Sequence, residues 1–273
     1  MKILSLKLSS LKSFFILLFT FFISGYTELK AQENLKLEKI NKLTHSERKE
    51  GWRLAFNGKT FKGWRGLGME TVPVNWKIED GCLRNINIIE VTSLLNGQPF
   101  QISDLITYKK YENFELYFEW KITAAGNTGI KYNVSEEMSK QYGSRYSALG
   151  FEYQLLDDYD VRYKDKLKPS QFSGSLYDLI PAINVHLKSV GEFNNSRIVV
   201  NDTHCEHWLN GVRIVEFEFG SALLDSAYQK SKFNQYPGFH EKRKGHIVLQ
   251  SHKDDAWFRN LKIREFKTVE NKK

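Results

Sequence analysis

Phe114-Glu-Leu-Tyr-Phe-Glu-Trp-Lys-Ile122 alternates apolar and polar side chains without a break. Successive side chains of a strand point to opposite faces, so Phe114, Leu116, Phe118, Trp120 and Ile122 share one face. Glu115, Tyr117, Glu119 and Lys121 share the other. One face on a core and one in water is the habit of antiparallel sheets. The same period of two runs through 151–155, 197–201 and 246–250. Turn residues separate these runs at Asp80-Gly81, Gly126-Asn127, Asn210-Gly211 and Pro237-Gly238. Asn210-Gly211, set between Trp208-Leu209 and Val212, marks a two-residue hairpin. Helical spacing is confined to 221–233, where Leu223, Leu224, Ala227 and Tyr228 line one side. Many strands and one short helix near 221–233 predict an all-β sandwich or jelly roll.

The ends of the chain read differently. Lys2, Lys7 and Lys12 precede an apolar run over 14–23, followed by Ser24, Gly25 and Ala31. A basic start, a short apolar segment and small residues predict an export signal over 1–31. The run is shorter than the roughly 20 residues of a membrane span, so no span is expected after cleavage and the mature protein is expected in the periplasm or outside the cell. Residues 32–50 read as a polar tether or a short helix, 51–267 as one domain and 268–273 as a tail. Removing the leader takes away four lysines and one glutamate and lowers the formal charge from +8 to +5. The remaining charge is interleaved, which points to a solvated surface and away from nucleic acid. A 41% hydrophobic, 26% charged chain with mean hydropathy −0.47 excludes disordered tails and multi-span membrane proteins. Cys82 and Cys205 are the two cysteines. They leave open a disulfide worth about 4–5 kcal/mol or two buried thiols.

The polar faces carry the candidate chemistry. In Gly150-Phe-Glu-Tyr-Gln-Leu-Leu-Asp-Asp158, alternation puts Glu152 and Gln154 on one face. In Leu249-Gln-Ser-His252 it puts Gln250 and His252 on one face. A curved sheet that gathers both faces brings together a carboxylate, an imidazole and two amides, suited to proton transfer or to a metal ion with O and N ligands. Retaining glycosidases instead need two carboxylates about 5 Å apart. Here Gln154 stands where a second acid would be useful, and strict alternation turns Asp157 away unless a bulge re-aims it. Tyr177 follows a Gly-Ser turn and is placed to present its hydroxyl. His207 reads as structural. No HExxH motif and no CxxC pair occur, so neither zincin chemistry nor a cysteine zinc cage is supported.

A set of segments in fixed order resembles the 3-keto-disaccharide hydrolase domain family. They are Leu54-Ala-Phe-Asn-Gly-Lys59 with Gly63-Trp64, Trp76-Lys-Ile-Glu-Asp-Gly81, Asp104-Leu-Ile-Thr107 with Tyr111 and Phe114, and Gly126-Asn-Thr-Gly-Ile130. Gly150-x-Glu152-x-Gln154-x-Leu156-Asp157, Gly174-Ser-Leu-Tyr177, Gly191-Glu-Phe-Asn194, His207-Trp-Leu-Asn-Gly211, Ser231-Lys-Phe233 and Leu249-Gln-x-His252 follow. Departures from the family pattern include Ile102-Ser103, Thr128, Asn133, Phe193, Ser251 and Lys253. The resemblance implies a concanavalin-like or laminin-G-like β-sandwich acting on carbohydrates whose C3 hydroxyl has been oxidised to a ketone. It implies cleavage or hydration of such sugars, with C2 proton abstraction and 1,2-elimination as the route to cleavage and a divalent metal ion as an option. On that footing Glu152 and His252 are the proton-transfer pair or metal ligands. Gln154, Gln250 and Tyr177 orient the sugar, and Asn127 and Lys232 stand at the rim. A non-catalytic carbohydrate-binding module and a two-carboxylate hydrolase using Glu152 and Asp157 are the alternatives.

Overall fold

The computed structural model describes residues 40–95, 98, 101–143 and 147–266. The expected leader over 1–31, residues 32–39 and the tail over 268–273 lie outside the described residues. Thirteen strands are formed among them: β1 (Arg53–Leu54), β2 (Trp64–Gly66), β3 (Trp76–Glu79), β4 (Cys82–Asn85), β5 (Leu105–Tyr111), β6 (Phe114–Ile122) and β7 (Asn127–Val134), then β8 (Phe151–Leu156), β9 (Asn194–Asn201), β10 (His204–Leu209), β11 (Val212–Glu218), β12 (Gly245–Leu249) and β13 (Ala256–Glu265).

The strands make two antiparallel sheets. One runs β11-β10-β9-β6-β13-β4-β3, with β1 added on β13; the other runs β2-β5-β12-β7-β8. β6 therefore lies inside the larger sheet, and its apolar face meets the inner face of the smaller one. Phe118 packs edge-on against Tyr153 at 5.5 Å, and Phe114 against Tyr132 at 6.4 Å. Each such ring withdrawn from water contributes about 1.5–3 kcal/mol, so the alternation of β6 and β8 closes the sandwich. Asn210 and Gly211 both have positive φ, 48° and 88°, as the hairpin between β10 and β11 requires.

The helix expected near 221–233 is present as Ala222–Lys230, capped by Ser221 and followed by a short 3-10 turn over Lys232–Gln235. It is not the only one. α1 (His45–Lys49), α2 (Ile88–Leu95) and α3 (Glu136–Tyr142) precede it, which makes it α4. These helices are five to eight residues long, too short for an apolar period to stand out. Local caps hold two of them. Thr44 and Glu47 form a capping box at α1, and the Ser135 hydroxyl accepts from the Met138 N–H at α3.

Cys82 and Cys205 are both free and buried. They sit on β4 and β10, which four strand spacings separate in one sheet. At about 4.8 Å per strand that is far beyond disulfide reach. Among the described residues no helix is long and apolar enough to cross a membrane.

Candidate functional site

The outer face of the smaller sheet carries the site. Register places Arg65 opposite Ile106, Ile106 opposite Val248, Val248 opposite Lys131 and Lys131 opposite Glu152. Paired residues project to the same side, so one row crosses all five strands from Arg65 on β2 to Glu152 on β8. Leu67, Ile106, Val134, Ala148 and Val248 form a small apolar cluster in the middle of it.

At the β8 end stands a buried group of charges. Lys131 Nζ lies 3.5 Å from Asp104 Oδ2 and 3.9 Å from Glu152 Oε2, and donates to the Ala148 carbonyl at 3.0 Å. Asp104 is fixed independently, accepting from the Ala148 and Ser251 N–H groups. An ion pair this deep stabilises only when its remaining hydrogen bonds are made, and the loop at Ala148 supplies them.

Glu152 is 7% exposed. Burial pushes its pKa above the usual carboxylate range, and Asp104 adds to the effect. Lys131, Lys232 and a hydrogen bond from the Gln250 amide oppose it. Space for the carboxyl group comes from Gly129 on β7. A Cβ on Gly129 would lie 2.6 Å from Glu152 Oε1 and 2.8 Å from its Cγ. Gln154 stands opposite Gly129. Its amide is oriented by the acceptors around it, donating to Glu152 Oε1 at 3.0 Å and to the Thr128 carbonyl at 3.2 Å. Gln250 is held by its own backbone, whose N–H donates to Gly129 O and whose carbonyl accepts from the Thr128 hydroxyl. Its side-chain oxygen is buried and has no protein partner.

Tyr177 and Lys232 stand beside this floor. The Tyr177 N–H donates to the Glu152 carbonyl, and Asp178 accepts from the Lys232 N–H, which ties both segments to β8. The Lys232 ammonium sits 4.3 Å from the centre of the Tyr177 ring. Partial burial lowers the Lys232 pKa, against the pull of Glu152 and Asp178, and raises the Tyr177 hydroxyl to about 12.

Asn127 and His252 lie on another side. The Asn127 amide is 3.2 Å from that of Gln154, and its N–H donates to Asp254. β12 ends at Leu249, so the expected continuation of alternation to His252 does not occur. His252 lies on the loop after the strand, exposed, with Nδ1 4.0 Å from Asp254 Oδ2. Partial desolvation of the ring lowers its pKa, with Asp254 opposing. The Lys131 charge acts on both His252 and Glu152. No hydrogen bond or ion pair joins those two among the described contacts.

The structure thus gathers Glu152, Gln154, Gln250, Tyr177 and Lys232, and leaves Asn127 and His252 at the rim. Asp157 is committed elsewhere, accepting from the Ala125 N–H at 2.8 Å. His207 is structural, buried between Gly174 O and the Tyr132 hydroxyl, with a pKa lowered to about 4 by burial. Glu152 and His252 do not converge with a third metal-ligating group. Among the described residues only His204, Glu206 and Glu216 bring three such groups together, on β10 and β11 of the other sheet. The residues at Glu152 therefore do not fit an ion held by three protein ligands, and two ammonium groups already face the carboxylate.

Sequence reasoning does not single out Lys131, whose burial depends on the loop that covers it. It is the one charged residue in Asn127-Thr-Gly-Ile-Lys-Tyr-Asn-Val134, a run buried almost throughout. Asp104 was legible only as part of a motif.

Comparison with known proteins bears on the domain as a whole. Residues 51–264 match the family model of the 3-keto-alpha-glucoside-1,2-lyase-like domain. The chain is 34% identical over 250 residues to the 3-keto-disaccharide hydrolase of Bacteroides thetaiotaomicron, covering 85% of this chain and 84% of that one. A crystal structure named as a glycosyl hydrolase of Parabacteroides distasonis superposes with a TM-score of 0.71 at 31% identity, over 84% of this chain and 100% of that chain. A second from the same organism shares the fold, with a TM-score of 0.55 at 24% identity over 74% of this chain and 99% of that one.

Proposed function

Because the chain belongs to the 3-keto-alpha-glucoside-1,2-lyase-like domain family, and is by that relationship a carbohydrate-active enzyme, we propose that it cleaves 3-keto-glycosides with Glu152 as the base. The observation that carries this reading is a buried carboxylate with raised proton affinity, seated over a glycine beside two ammonium groups, while its neighbour Asp104 is committed to the Ala148 and Ser251 N–H groups. Ordinary glycoside hydrolysis asks for two carboxylates flanking the bond. A 3-keto sugar asks for one base.

The ketone at C3 acidifies the C2 proton. Glu152 takes that proton, and the C–H electron pair becomes an enolate delocalised onto the C3 oxygen. The enolate then re-forms the ketone and expels the C1 substituent, leaving a C1–C2 double bond. The leaving oxygen takes a proton from the rim, where His252 and Asp254 stand. Water added across the double bond completes a net hydrolysis. A base whose pKa is lifted toward neutrality is the more effective proton acceptor. Developing charge on the C3 oxygen is met by the Lys232 ammonium and the Tyr177 hydroxyl, fixed in place before the reaction begins. Gln154 and Gln250, both hydrogen-bonded to Glu152, hold the base in place beneath the sugar.

Replacing Glu152 by Gln keeps the shape and removes the base. Turnover of a 3-keto-glucoside is expected to fall by about 10²–10⁴-fold with the fold intact by circular dichroism. Wild-type turnover in that variant would remove Glu152 from the mechanism.

A further inference from the structure

Asp178 is a buried carboxylate that the reaction at Glu152 leaves without a role, and three segments beside the site meet on it. Its side chain is 1% exposed. Oδ2 accepts from the Lys232 N–H at 2.8 Å. Oδ1 accepts from Gln171 Nε2 at 3.0 Å and from the Lys168 ammonium at 3.3 Å. These side-chain partners are all donors. Gln171 is fixed in that sense, because its Oε1 already accepts from the Lys168 N–H. An amide has a single accepting atom and would turn an NH₂ group toward donors on its other side, so the position calls for a carboxylate. The backbone agrees: φ at Asp178 is 58°, a left-handed conformation that Asp and Asn tolerate and most other side chains do not. The residue before it completes the device. The Tyr177 N–H donates to the Glu152 carbonyl at 2.9 Å, so one of two consecutive residues grips the strand of the base and the other grips the Lys232 turn.

We propose that Asp178 is a positioning residue for cleavage of the 3-keto sugar: through the Lys232 N–H it sets where the Lys232 ammonium stands relative to Glu152, and the Lys168–Gln171 turn holds its carboxylate in place. The assignment rests on the reading of Lys232 as the group that meets the charge developing on the C3 oxygen. Lys232 is exposed on a four-residue 3-10 turn. A lysine stem is flexible, so the point at which its backbone is fixed decides which region the ammonium reaches. Fixed as it is, the ammonium lies 4.3 Å from the centre of the Tyr177 ring and 5.2 Å from that of Phe233. Four charged groups act on it there. Against the lowering effect of burial, Glu152 and Asp178 raise its proton affinity, while Lys131 and Lys168 lower it.

The test uses Asp178→Asn, which keeps size and backbone preference, with Lys232→Met, the double variant and Lys168→Met. kcat and KM are measured on a 3-keto-glucoside. In parallel the lysine amines are given isotope-labelled methyl groups and titrated by NMR, the Lys232 signal being the one missing from Lys232→Arg. Asp178→Asn is expected to lower kcat by about 10–100-fold and to leave KM within about threefold. In the Lys232→Met background the same change is expected to cost less than about twofold, because residues that act as a unit are not additive. The Lys232 titration is expected to move to lower pH in Asp178→Asn, and to higher pH in Lys168→Met, a change at an exposed side chain that leaves the Asp178 charge less compensated. A loss of kcat as large in the Lys232→Met background as in wild type overturns the proposal, since a merely structural support gives that result. A Lys232 titration unmoved in the folded variants overturns it too. Absence of wild-type turnover on the 3-keto sugar would overturn the reaction proposed at Glu152, and the titration would still decide whether Asp178 sets Lys232.

Discussion

Gly129→Ala perturbs the proposed base without touching it. The added Cβ would stand 2.6 Å from Glu152 Oε1, where ordinary contact begins at 3.4 Å. The carboxyl group must therefore retreat by about 0.8 Å, since Gly129 has no positive φ that would strain an alanine. Glu152 has little room to do so, with Gln154 and Gln250 on its oxygens and Lys131 beyond. Overpacking of this kind costs about 1–3 kcal/mol, and a misplacement near 1 Å lowers turnover by about 10²-fold. Urea unfolding and kcat on a 3-keto-glucoside measure the two effects. The double variant Gly129→Ala/Glu152→Asp separates them. Aspartate is one methylene shorter, so the pair is expected to be more stable than Gly129→Ala alone, a favourable coupling, while remaining poorly active. Turnover within twofold of wild type in Gly129→Ala, at unchanged stability, would refute the claim that this glycine seats the base.

Removing the Lys131 charge with Lys131→Met leaves Asp104 and Glu152 facing each other. The acidic limb of kcat/KM is expected to move to higher pH and stability to fall by about 3 kcal/mol; an unmoved limb would mean that Lys131 does not act on the base. Glu152 binds its proton more tightly in the folded state than in the unfolded one. Its ionisation therefore lowers stability as pH rises from the ordinary carboxylate pKa through the raised one. Glu152→Gln is expected to be more stable than wild type above that interval, with the difference fading below it, and urea midpoints at acidic and alkaline pH check the sign. His252→Ala is expected to lower turnover by about 10²-fold for an alkyl leaving group and far less for a nitrophenyl one, which departs without a proton. Equal losses for both would remove His252 from leaving-group protonation.

The sandwich was legible because the period of two persists wherever one sheet face is buried, as in Phe114–Ile122. The bounds of the three extra helices were not, since a turn or two held by Thr44 or Ser135 leaves almost no periodic trace. Glu152 and Gln154 were readable as one face of β8, and the structure keeps them so. Lys131 was not, because strand alternation says which side a lysine faces but not whether a loop will cover it. Here the Ala148 carbonyl does. His252 shows the opposite limit. Alternation was extended past Leu249, where the chain leaves the sheet and the period ends with it.

The most direct test compares release of the C1 substituent from a 3-keto-glucoside and from its unoxidised parent by the same purified protein. Elimination driven by a single base predicts release from the keto sugar alone, lost in Glu152→Gln. Release from the parent glucoside at a comparable rate would contradict it, because that reaction needs a second carboxylate at the bond.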